Sequence, residues 1–239
     1  MKVDVLAIGA HPDDVELGCG GTIAKLISEG KKVAIIDLTE GELGTRGTNE
    51  TRALEAAESS RILGVMVREN LKMKDGFIIN SQEYQFRIVE MIRKYQPEIV
   101  LCNAIDDRHP DHAKAAKLVS DACFLSGLVK IKTILDEQVQ TSWRPKLVFH
   151  YIQWKNIEPD FVIDITRFLD KKIEACLAYK TQFYDPSSTE PMTPIATKDF
   201  LESLTYRAQD LGRLSGVEYA EGFTTEKLLA IKNFDAFIL

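Results

Sequence analysis

The sequence predicts an α/β protein with a Rossmann-like, mostly parallel sheet, helices on both faces and a C-terminal elaboration. Three observations predict this fold class. Short β-branched apolar runs alternate with stretches of helical spacing, glycines mark the junctions, and 45% hydrophobic with 28% charged residues suit an ordinary globular protein of 239 residues. Repeated strand–helix–strand units with right-handed crossovers favour the strand order 3-2-1-4. We expect one domain over residues 1–239, since no linker divides the chain.

Each predicted element of the N-terminal half has its own signal. Strands are predicted where a run is short, apolar and β-branched, at 2–9, 31–39, 65–73 and 97–103. Helices are predicted where apolar side chains recur at helical spacing, at about 16–30, 51–64 and 81–96. Gly30 and Gly64 end the first two helices, as glycine commonly does. Because strands and helices alternate, the first four strands are expected to be parallel.

The pattern is less regular after residue 128. Strands are predicted at 144–154 and 160–166, and helices at 167–183 and near 197–212. A loop with several prolines and serines separates the two helices. These segments form the expected C-terminal elaboration.

Composition and charge argue against several classes of protein. A formal net charge of -6 is unlike the basic surface of a nucleic-acid-binding protein. No window approaches the roughly 18 apolar residues of a membrane span, and the apolar N-terminal run is too short for a secretion signal. The four cysteines are widely separated and form no CxxC pair, which is typical of free thiols in a reducing compartment. We therefore expect a cytoplasmic protein that binds neither nucleic acid nor membranes.

Two predicted loops collect most of the polar side chains that carry chemistry. The segment AIGAHPDDVELGCGGT at 7–22 places an imidazole and three carboxylates within six positions, at His11, Asp13, Asp14 and Glu16. The segment AIDDRHPDHAKAA at 104–116 repeats the pattern with Asp106, Asp107, His109, Asp111 and His112. Three of the four histidines lie in these loops. Because the first and fourth strands are expected to be neighbours at the switch point of the sheet, the loops should face each other across one crevice.

Imidazoles and carboxylates that converge on one point are typical of a divalent transition-metal site. His11 and Asp14 are three positions apart, so on a helical turn they face the same way. His112 can reach them from the other loop. This spacing predicts two histidines and one aspartate around a metal with one position open for water, but it does not separate the role of Asp13 from that of Asp14.

Structural roles are open for some of the same residues. Asp13 or Asp14 could cap the first helix, and Asp111, next to Pro110, could cap the helix that follows the second loop. His150 lies inside an apolar strand and is interpreted as a packed core residue. A nucleotide-binding Rossmann protein is disfavoured, because GAHPDD puts two carboxylates where a pyrophosphate needs bare backbone, and no GxGxxG is present.

The paired motifs AHPDDVELGCGGT and HPDH resemble those of the LmbE-like, or PIG-L, family of zinc-dependent N-acetylglucosamine deacetylases. The segments LTEGELGTRGT (38–48), TRALEAAESSRILG (51–64) and GVEYAEGF (216–223) extend the resemblance over almost the whole chain. Within the family, the sequence is similar to the bacillithiol-pathway deacetylases, which remove the acetyl group from N-acetylglucosaminyl malate. The resemblance also implies a homo-oligomer, for which a hexamer is one arrangement.

The resemblance implies a role for each motif residue. It implies one zinc ion per subunit with the ligands His11, Asp14 and His112. It implies that Asp13 is the general base and that His109, held by Asp111, is its partner on the opposite wall. It also implies that Arg52 contacts the sugar hydroxyls. For Arg52 a solvated position in the first turn of a helix is the alternative. Glu42 and Arg46 could line the pocket or belong to a surface loop, and Gln182 and Glu221 receive no role.

The expected chemistry is hydrolysis of a sugar acetamide. Zinc lowers the pKa of water and polarises a carbonyl, Asp13 removes a proton from the attacking water, and His109, kept protonated by Asp111, stabilises the oxyanion. Asp13 or His109 then protonates the leaving amine. The alternatives are a deacetylase of another N-acetyl sugar such as diacetylchitobiose, and a non-catalytic metal-dependent sugar-binding module, which would need no base beside its ligands.

Overall fold

The computed structural model describes residues 1–237, and strands and helices alternate along its first half. The elements in chain order are β1 (Val5–Gly9), α1 (Asp14–Ser28), β2 (Val33–Thr39), α2 (Asn49–Leu63), β3 (Val67–Met73), α3 (Gln82–Tyr95), β4 (Ile99–Cys102) and α4 (Pro110–Ser126). The predicted strands and helices of this half are all present, with ends that differ by a few residues. The helix α4 is long, and its start at Pro110 follows the preference of proline for the first turn of a helix.

The second half is less regular, as its sequence predicts. Its elements are the two-residue strands β5 (Ile134–Leu135) and β6 (Gln138–Val139), then β7 (Leu147–Tyr151), β8 (Phe161–Asp164), α5 (Leu169–Leu177), α6 (Lys198–Ser215), β9 (Ala220–Thr225) and a 3-10 helix (Phe234–Phe237). The helix predicted at 167–183 is therefore shorter than expected, and β5, β6 and β9 are strands that the sequence did not predict. Among residues 1–237, no helix is both long and apolar enough to cross a membrane.

The central sheet has seven strands in the order β3-β2-β1-β4-β7-β9-β8. The first five are parallel, while β9 pairs antiparallel with both β7 and β8. The predicted order 3-2-1-4 and the mostly parallel sheet are thus confirmed. Since β1 pairs with β2 on one side and β4 on the other, the order in which strands are added to the sheet reverses at β1, and a crevice opens beyond the carboxyl ends of β1 and β4.

Apolar clusters cover both faces of the sheet. One cluster joins the sheet to α3 and α4, and the other joins it to α1 and α5. Every residue of β1 and β2 is buried, as expected for parallel strands covered on both faces. Gly18 permits the close approach of α1 to β7, because a Cβ atom there would overlap the ring of Tyr151.

The N-termini of α1 and α4 show which of the motif residues cap these helices. Asp13 occupies the N-cap position of α1, but its side chain makes no capping hydrogen bond. His109, and not Asp111, caps α4, because its Nδ1 accepts the main-chain N–H of Asp111 at 3.3 Å. The motif carboxylates are therefore free for other contacts.

Candidate metal centre and active-site cavity

The loops that follow β1 and β4 meet above the crevice and bring three imidazoles together. The ring centroid of His11 lies 4.5 Å from that of His109 and 5.4 Å from that of His112. The rings of His109 and His112 are 5.2 Å apart. The imidazoles of His11 and His112 are therefore close enough to share one metal ion, for which metal–nitrogen distances are about 2.0–2.1 Å with zinc.

The carboxylate of Asp14 lies between the two imidazoles. Its Oδ2 is 3.4 Å from Nδ1 of His11, and its Oδ1 is 3.2 Å from Nε2 of His112. Nδ2 of Asn103 donates to Oδ2 at 3.0 Å, and Nε2 of Gln153 donates to Oδ1 at 2.6 Å. Burial by itself would raise the pKa of Asp14, but the neighbouring imidazoles hold that pKa well below its usual range. Asp14 is thus an ionised carboxylate in a fixed position.

Each of these two imidazoles meets a second carboxylate through its other nitrogen. Nε2 of His11 lies 3.0 Å from Oδ1 of Asp75, and Nδ1 of His112 lies 2.8 Å from Oδ2 of Asp107. Histidines that bind metals commonly donate their second N–H to a carboxylate in this way. The nitrogen of each ring that faces Asp14 then remains available to a metal.

Main-chain groups hold the two supporting carboxylates. Asp75 accepts the N–H of Leu43 at 2.9 Å, while its own N–H donates to Glu42 at 2.8 Å. Asp107 accepts main-chain N–H groups at 2.7, 3.3 and 3.1 Å from Arg108, Trp154 and Lys155. The carboxylates are therefore positioned by the loops that follow β2, β4 and β7.

The charges around the imidazoles fit a divalent cation. His11 lies 3.6 Å from Asp111 as well as close to Asp14 and Asp75. Burial lowers the pKa of both imidazoles, but the carboxylates outweigh it, raising the pKa of His11 well above its usual range and that of His112 to about 9. A site whose carboxylates outnumber its fixed cations is complementary to a metal ion.

Among residues 1–237, two groups of three side chains have candidate ligand atoms within 4.8 Å of one another: His11, His109 and His112, and His11, Asp75 and Asp111. Asp111 already accepts N–H groups of the main chain. The predicted ligand set His11, Asp14 and His112 is neither of these groups and stays a prediction, supported by the distances of 3.4 Å and 3.2 Å from Asp14 to the two imidazoles.

Asp13 stands beside Asp14, the predicted ligand, in a strained conformation. Its φ is 113°, in the left-handed region that L-residues rarely adopt. Burial raises the pKa of Asp13 to about 7, with Arg52 opposing the rise and Asp14 adding to it. Arg52 is 5% exposed, and its Nη2 lies 2.6 Å from the carbonyl of Pro12 and 3.4 Å from Asp13. A solvated role for Arg52 is therefore ruled out.

The structure differs from the expected contact between His109 and Asp111. The Asp111 carboxylate accepts the N–H groups of Gly76 at 2.7 Å and Ile78 at 3.3 Å, and only its main-chain N–H contacts His109. Burial and the two neighbouring imidazoles lower the pKa of His109. Since Nδ1 accepts the main-chain N–H of Asp111, the proton of a neutral His109 ring belongs on Nε2. The expected contact between the Asp111 carboxylate and the His109 ring is therefore not present among the described residues, because that carboxylate binds the N–H groups of Gly76 and Ile78.

One cavity of about 340 Å³ joins these residues to the C-terminal elements, and its volume is in the range of about 300–1,000 Å³ usual for small-molecule sites. We call its two parts the metal end and the inner chamber. The metal end is lined by His11, Asp13, Asp14, Asp75, His109 and His112. The inner chamber is lined mainly by Leu17, Ile152, Ile195, Leu204, Ala208 and Leu211, with Arg207 among them.

Three buried polar residues that have no role in the predicted site make structural contacts: Glu16, Glu221 and His150. Glu16 is fully buried and accepts from Arg68 at 2.6 Å, at the junction of α1 and β3. Glu221 is paired with Lys172 at 2.6 Å. His150 is buried in β7 and lies 3.0 Å from a carboxylate of Glu226, in agreement with a packed core residue.

The structure also shows where Glu42, Arg46 and Gln182 lie relative to the cavity. Glu42 accepts the Asp75 N–H, and Arg46 is buried and donates to Ser188. Neither lines the cavity in the described part of the chain, whereas Gln182 does and donates to the Arg46 carbonyl at 2.9 Å.

Comparison with known proteins agrees with the fold and the motifs. Residues 6–123 match the PIG-L family, described as GlcNAc-PI de-N-acetylase. Diacetylchitobiose deacetylase of Thermococcus kodakarensis is 30% identical over 229 residues, which cover 91% of this chain and 81% of that protein.

Two solved structures are also similar. The crystal structure of a conserved protein from Thermus thermophilus has a TM-score of 0.85 at 35% identity, covering 96% of this chain and 98% of that chain. N,N'-diacetylchitobiose deacetylase from Pyrococcus horikoshii, complexed with its inhibitor MPG, has a TM-score of 0.76 at 26% identity, covering 92% of this chain and 82% of that chain. The sequence similarity over most of both chains, together with the paired motif loops, means that this chain belongs to the PIG-L, or LmbE-like, family of deacetylases.

Proposed function

We propose that this protein is a zinc-dependent deacetylase that hydrolyses the acetamide of an N-acetylglucosamine conjugate, and that N-acetylglucosaminyl malate of the bacillithiol pathway is its substrate. The observation that carries this proposal is the convergence of His11, Asp14 and His112 beside Asp13, from loops far apart in the sequence. The proposal includes a single-domain, cytoplasmic homo-oligomer.

Zinc suits the donor set of two imidazoles and one carboxylate. His11, Asp14 and His112 would hold the ion, and Asp75 and Asp107 would fix the two rings. When bound, zinc supplies Lewis-acid polarisation of the acetyl carbonyl and lowers the pKa of water at the site.

Asp13 is the general base of this proposal. A pKa of about 7 lets a carboxylate take a proton near neutral pH, where an ordinary aspartate is too weak a base. The Asp13 carboxylate takes a proton from the water that attacks the acetyl carbon. Asp13 can return this proton to the leaving amine, and the Nε2–H of His109 is the alternative donor.

His109 supports the transition state from the opposite wall. Its Nδ1 accepts a main-chain N–H, so its Nε2–H can donate a hydrogen bond to the oxygen on which negative charge develops. Arg52, anchored on the Pro12 carbonyl, presents its guanidinium edge to sugar hydroxyls at the same end of the cavity.

Diacetylchitobiose is the second candidate substrate. The 30% identical relative from Thermococcus kodakarensis is named for deacetylation of this disaccharide, and it covers 91% of this chain. The two candidates differ in charge, since the malate conjugate is an anion and the disaccharide is neutral.

Acetate release from three sugars tests the proposal. The purified protein is assayed with N-acetylglucosaminyl malate, free N-acetylglucosamine and diacetylchitobiose, with and without a chelator. We expect the highest kcat/KM on the malate conjugate, loss of activity with the chelator and recovery with zinc. A higher value on diacetylchitobiose would establish the second candidate.

Asp13→Asn is the matched variant for this assay, because it keeps the shape of the base and the zinc ligands. We expect it to bind zinc and release almost no acetate. If the wild type bound zinc and sugar but released no acetate from any of the three compounds, the protein would be a sugar-binding module instead.

A further inference from the structure

The inner chamber contains a cation that has no counter-ion among the described residues. Arg207 lies on the inward face of α6, near Leu204, Ala208 and Leu211, which are all apolar or small. Its Nη1 donates to the carbonyl oxygen of Gln153. Within residues 1–237, no carboxylate lies within ion-pair distance of its guanidinium.

The other charges of the chamber do not balance Arg207. Lys172 and Glu221 also line this part of the cavity, but they are paired with each other at 2.6 Å. Glu221 in addition accepts the main-chain N–H groups of Gly21 at 3.0 Å and Thr22 at 2.7 Å. Both of its oxygens are therefore occupied, and Glu221 does not balance the charge of Arg207.

A partly buried guanidinium without an adjacent anion is costly. Burial lowers the pKa of Arg207, with the more distant Asp107 opposing the fall, and this direction reflects the loss of hydration of the charged form. Apolar walls also strengthen its attraction for any anion that enters, since the local dielectric constant is lower than that of water. An arrangement of this kind is complementary to a negatively charged ligand.

Gln153 connects the chamber to the metal end. Its side chain donates to Asp14 at 2.6 Å, while its carbonyl accepts from Arg207. The guanidinium and the ligand carboxylate are thus contacts of one residue. A ligand whose acetamide reaches Asp14 can extend past Gln153 toward Arg207 within the same cavity.

We propose that Arg207 binds a carboxylate of the group attached to the sugar, and so selects N-acetylglucosamine conjugates that carry an acid. This inference rests on the proposed function for the placement of the acetamide, and it adds the residue that recognises the rest of the substrate. The planar guanidinium offers parallel N–H donors to a carboxylate, which a neutral disaccharide does not match.

The test compares kcat/KM on N-acetylglucosaminyl malate with kcat/KM on diacetylchitobiose. In Arg207→Met, which retains the length of the side chain, the ratio between the two substrates should fall about 10- to 100-fold, as expected for the loss of a charge-assisted hydrogen bond. Arg207→Lys should recover part of the ratio. An unchanged ratio, or an equal loss on both substrates, would overturn the proposal.

Arg213→Met is the matched control, because it removes a positive charge from the same helix at an exposed position paired with Asp210. It should leave the ratio unchanged. If it lowers the ratio as much as Arg207→Met does, the effect comes from the overall charge and the proposal is wrong.

Calorimetry separates this inference from the proposed function. Glucosaminyl malate should bind the wild type more tightly than methyl glucosaminide does, and Arg207→Met should abolish the difference. This result would support the anion site even if the protein released no acetate from any sugar. Equal binding of both compounds to the wild type would exclude the anion site, whatever the enzyme assay shows.

Discussion

The metal end and the inner chamber of the cavity are opposites in charge. At the metal end, carboxylates surround His11 and His112 and outnumber the cations, whereas in the inner chamber Arg207 has no carboxylate partner within the described residues. Since a buried charge needs a partner, the two ends are complementary to ligands of opposite sign. One cavity thus provides both kinds of charge that the proposals need, negative for the metal ion at one end and positive for the acidic group at the other.

The largest effect is expected for a substitution that changes the metal end alone. Asp14→Ala removes the carboxylate shared by the two imidazoles, so bound zinc and acetate release should both fall to background. Metal analysis of the purified variant measures this, with Asp106→Ala as control, since Asp106 is exposed and paired with Lys155. A variant that holds zinc stoichiometrically would show that Asp14 is not a ligand.

A smaller effect is expected where the metal is retained. His109→Ala should lower kcat about 100- to 1,000-fold, as is typical when a donor to the developing oxyanion is lost, while zinc content stays at the wild-type level. Steady-state kinetics with metal analysis measures both. Turnover close to that of the wild type would contradict the role of His109.

The supporting carboxylates Asp75 and Asp107 allow a further test within the metal end. Asp75→Asn and Asp107→Asn should each weaken zinc affinity about 10- to 100-fold, since the partner of a ligating histidine orients the ring and raises its basicity. Competition with a chelator measures the affinity, and Asp121→Asn, on an aspartate paired with Lys117, is the control. Unchanged affinity in both variants would mean that the contacts to His11 and His112 are not functional.

The smallest effect concerns an ion pair outside both ends. Burial disfavours protonated His150, but contacts with Cys102, Glu226 and the Asn103 carbonyl outweigh it and raise the pKa of His150 to about 11. A raised pKa stabilises the folded state fully below the unfolded pKa of about 6.5. The contribution is lost as the pH rises through about 11.

Glu226→Gln removes the carboxylate of this pair. Because the Glu226 side chain is 38% exposed and solvent screens the pair, we expect a loss of about 1 kcal/mol in the free energy of unfolding near neutral pH. Urea unfolding at several pH values measures it, with Glu218→Gln as control, since Glu218 is an exposed glutamate just before β9. A difference from wild type that persisted above pH 11 would show that the charge of His150 is not its cause.

Part of the site was accessible from the sequence because its signals are local. His11, Asp13, Asp14 and His112 lie in short motifs directly after predicted strands. Asp107 lies in the second motif without a signal of its own. Asp75 and Arg207 could not be found, since neither has a neighbouring residue in the sequence that marks it.

The strand β9 shows the same limit for the fold. Its sequence AEGFTT has a buried glutamate, Glu221, and little apolar alternation. That carboxylate is stabilised by Lys172 and by main-chain N–H groups of α1, about 200 residues earlier in the sequence. Periodicity reports which face of an element is apolar, but it contains no information about such distant partners.

The sequence by itself determined the order of the first four strands, and with it the meeting of the two motif loops, because right-handed crossovers leave few arrangements of alternating strands and helices. Only the tertiary structure decided which carboxylate supports which imidazole. Asp111 contacts Gly76 and Ile78 rather than the ring of His109, and Arg207 remains without an anion among the described residues. Such pairings depend on distances between segments that are remote along the chain, and hydrogen bonds lose their strength over a fraction of an ångström.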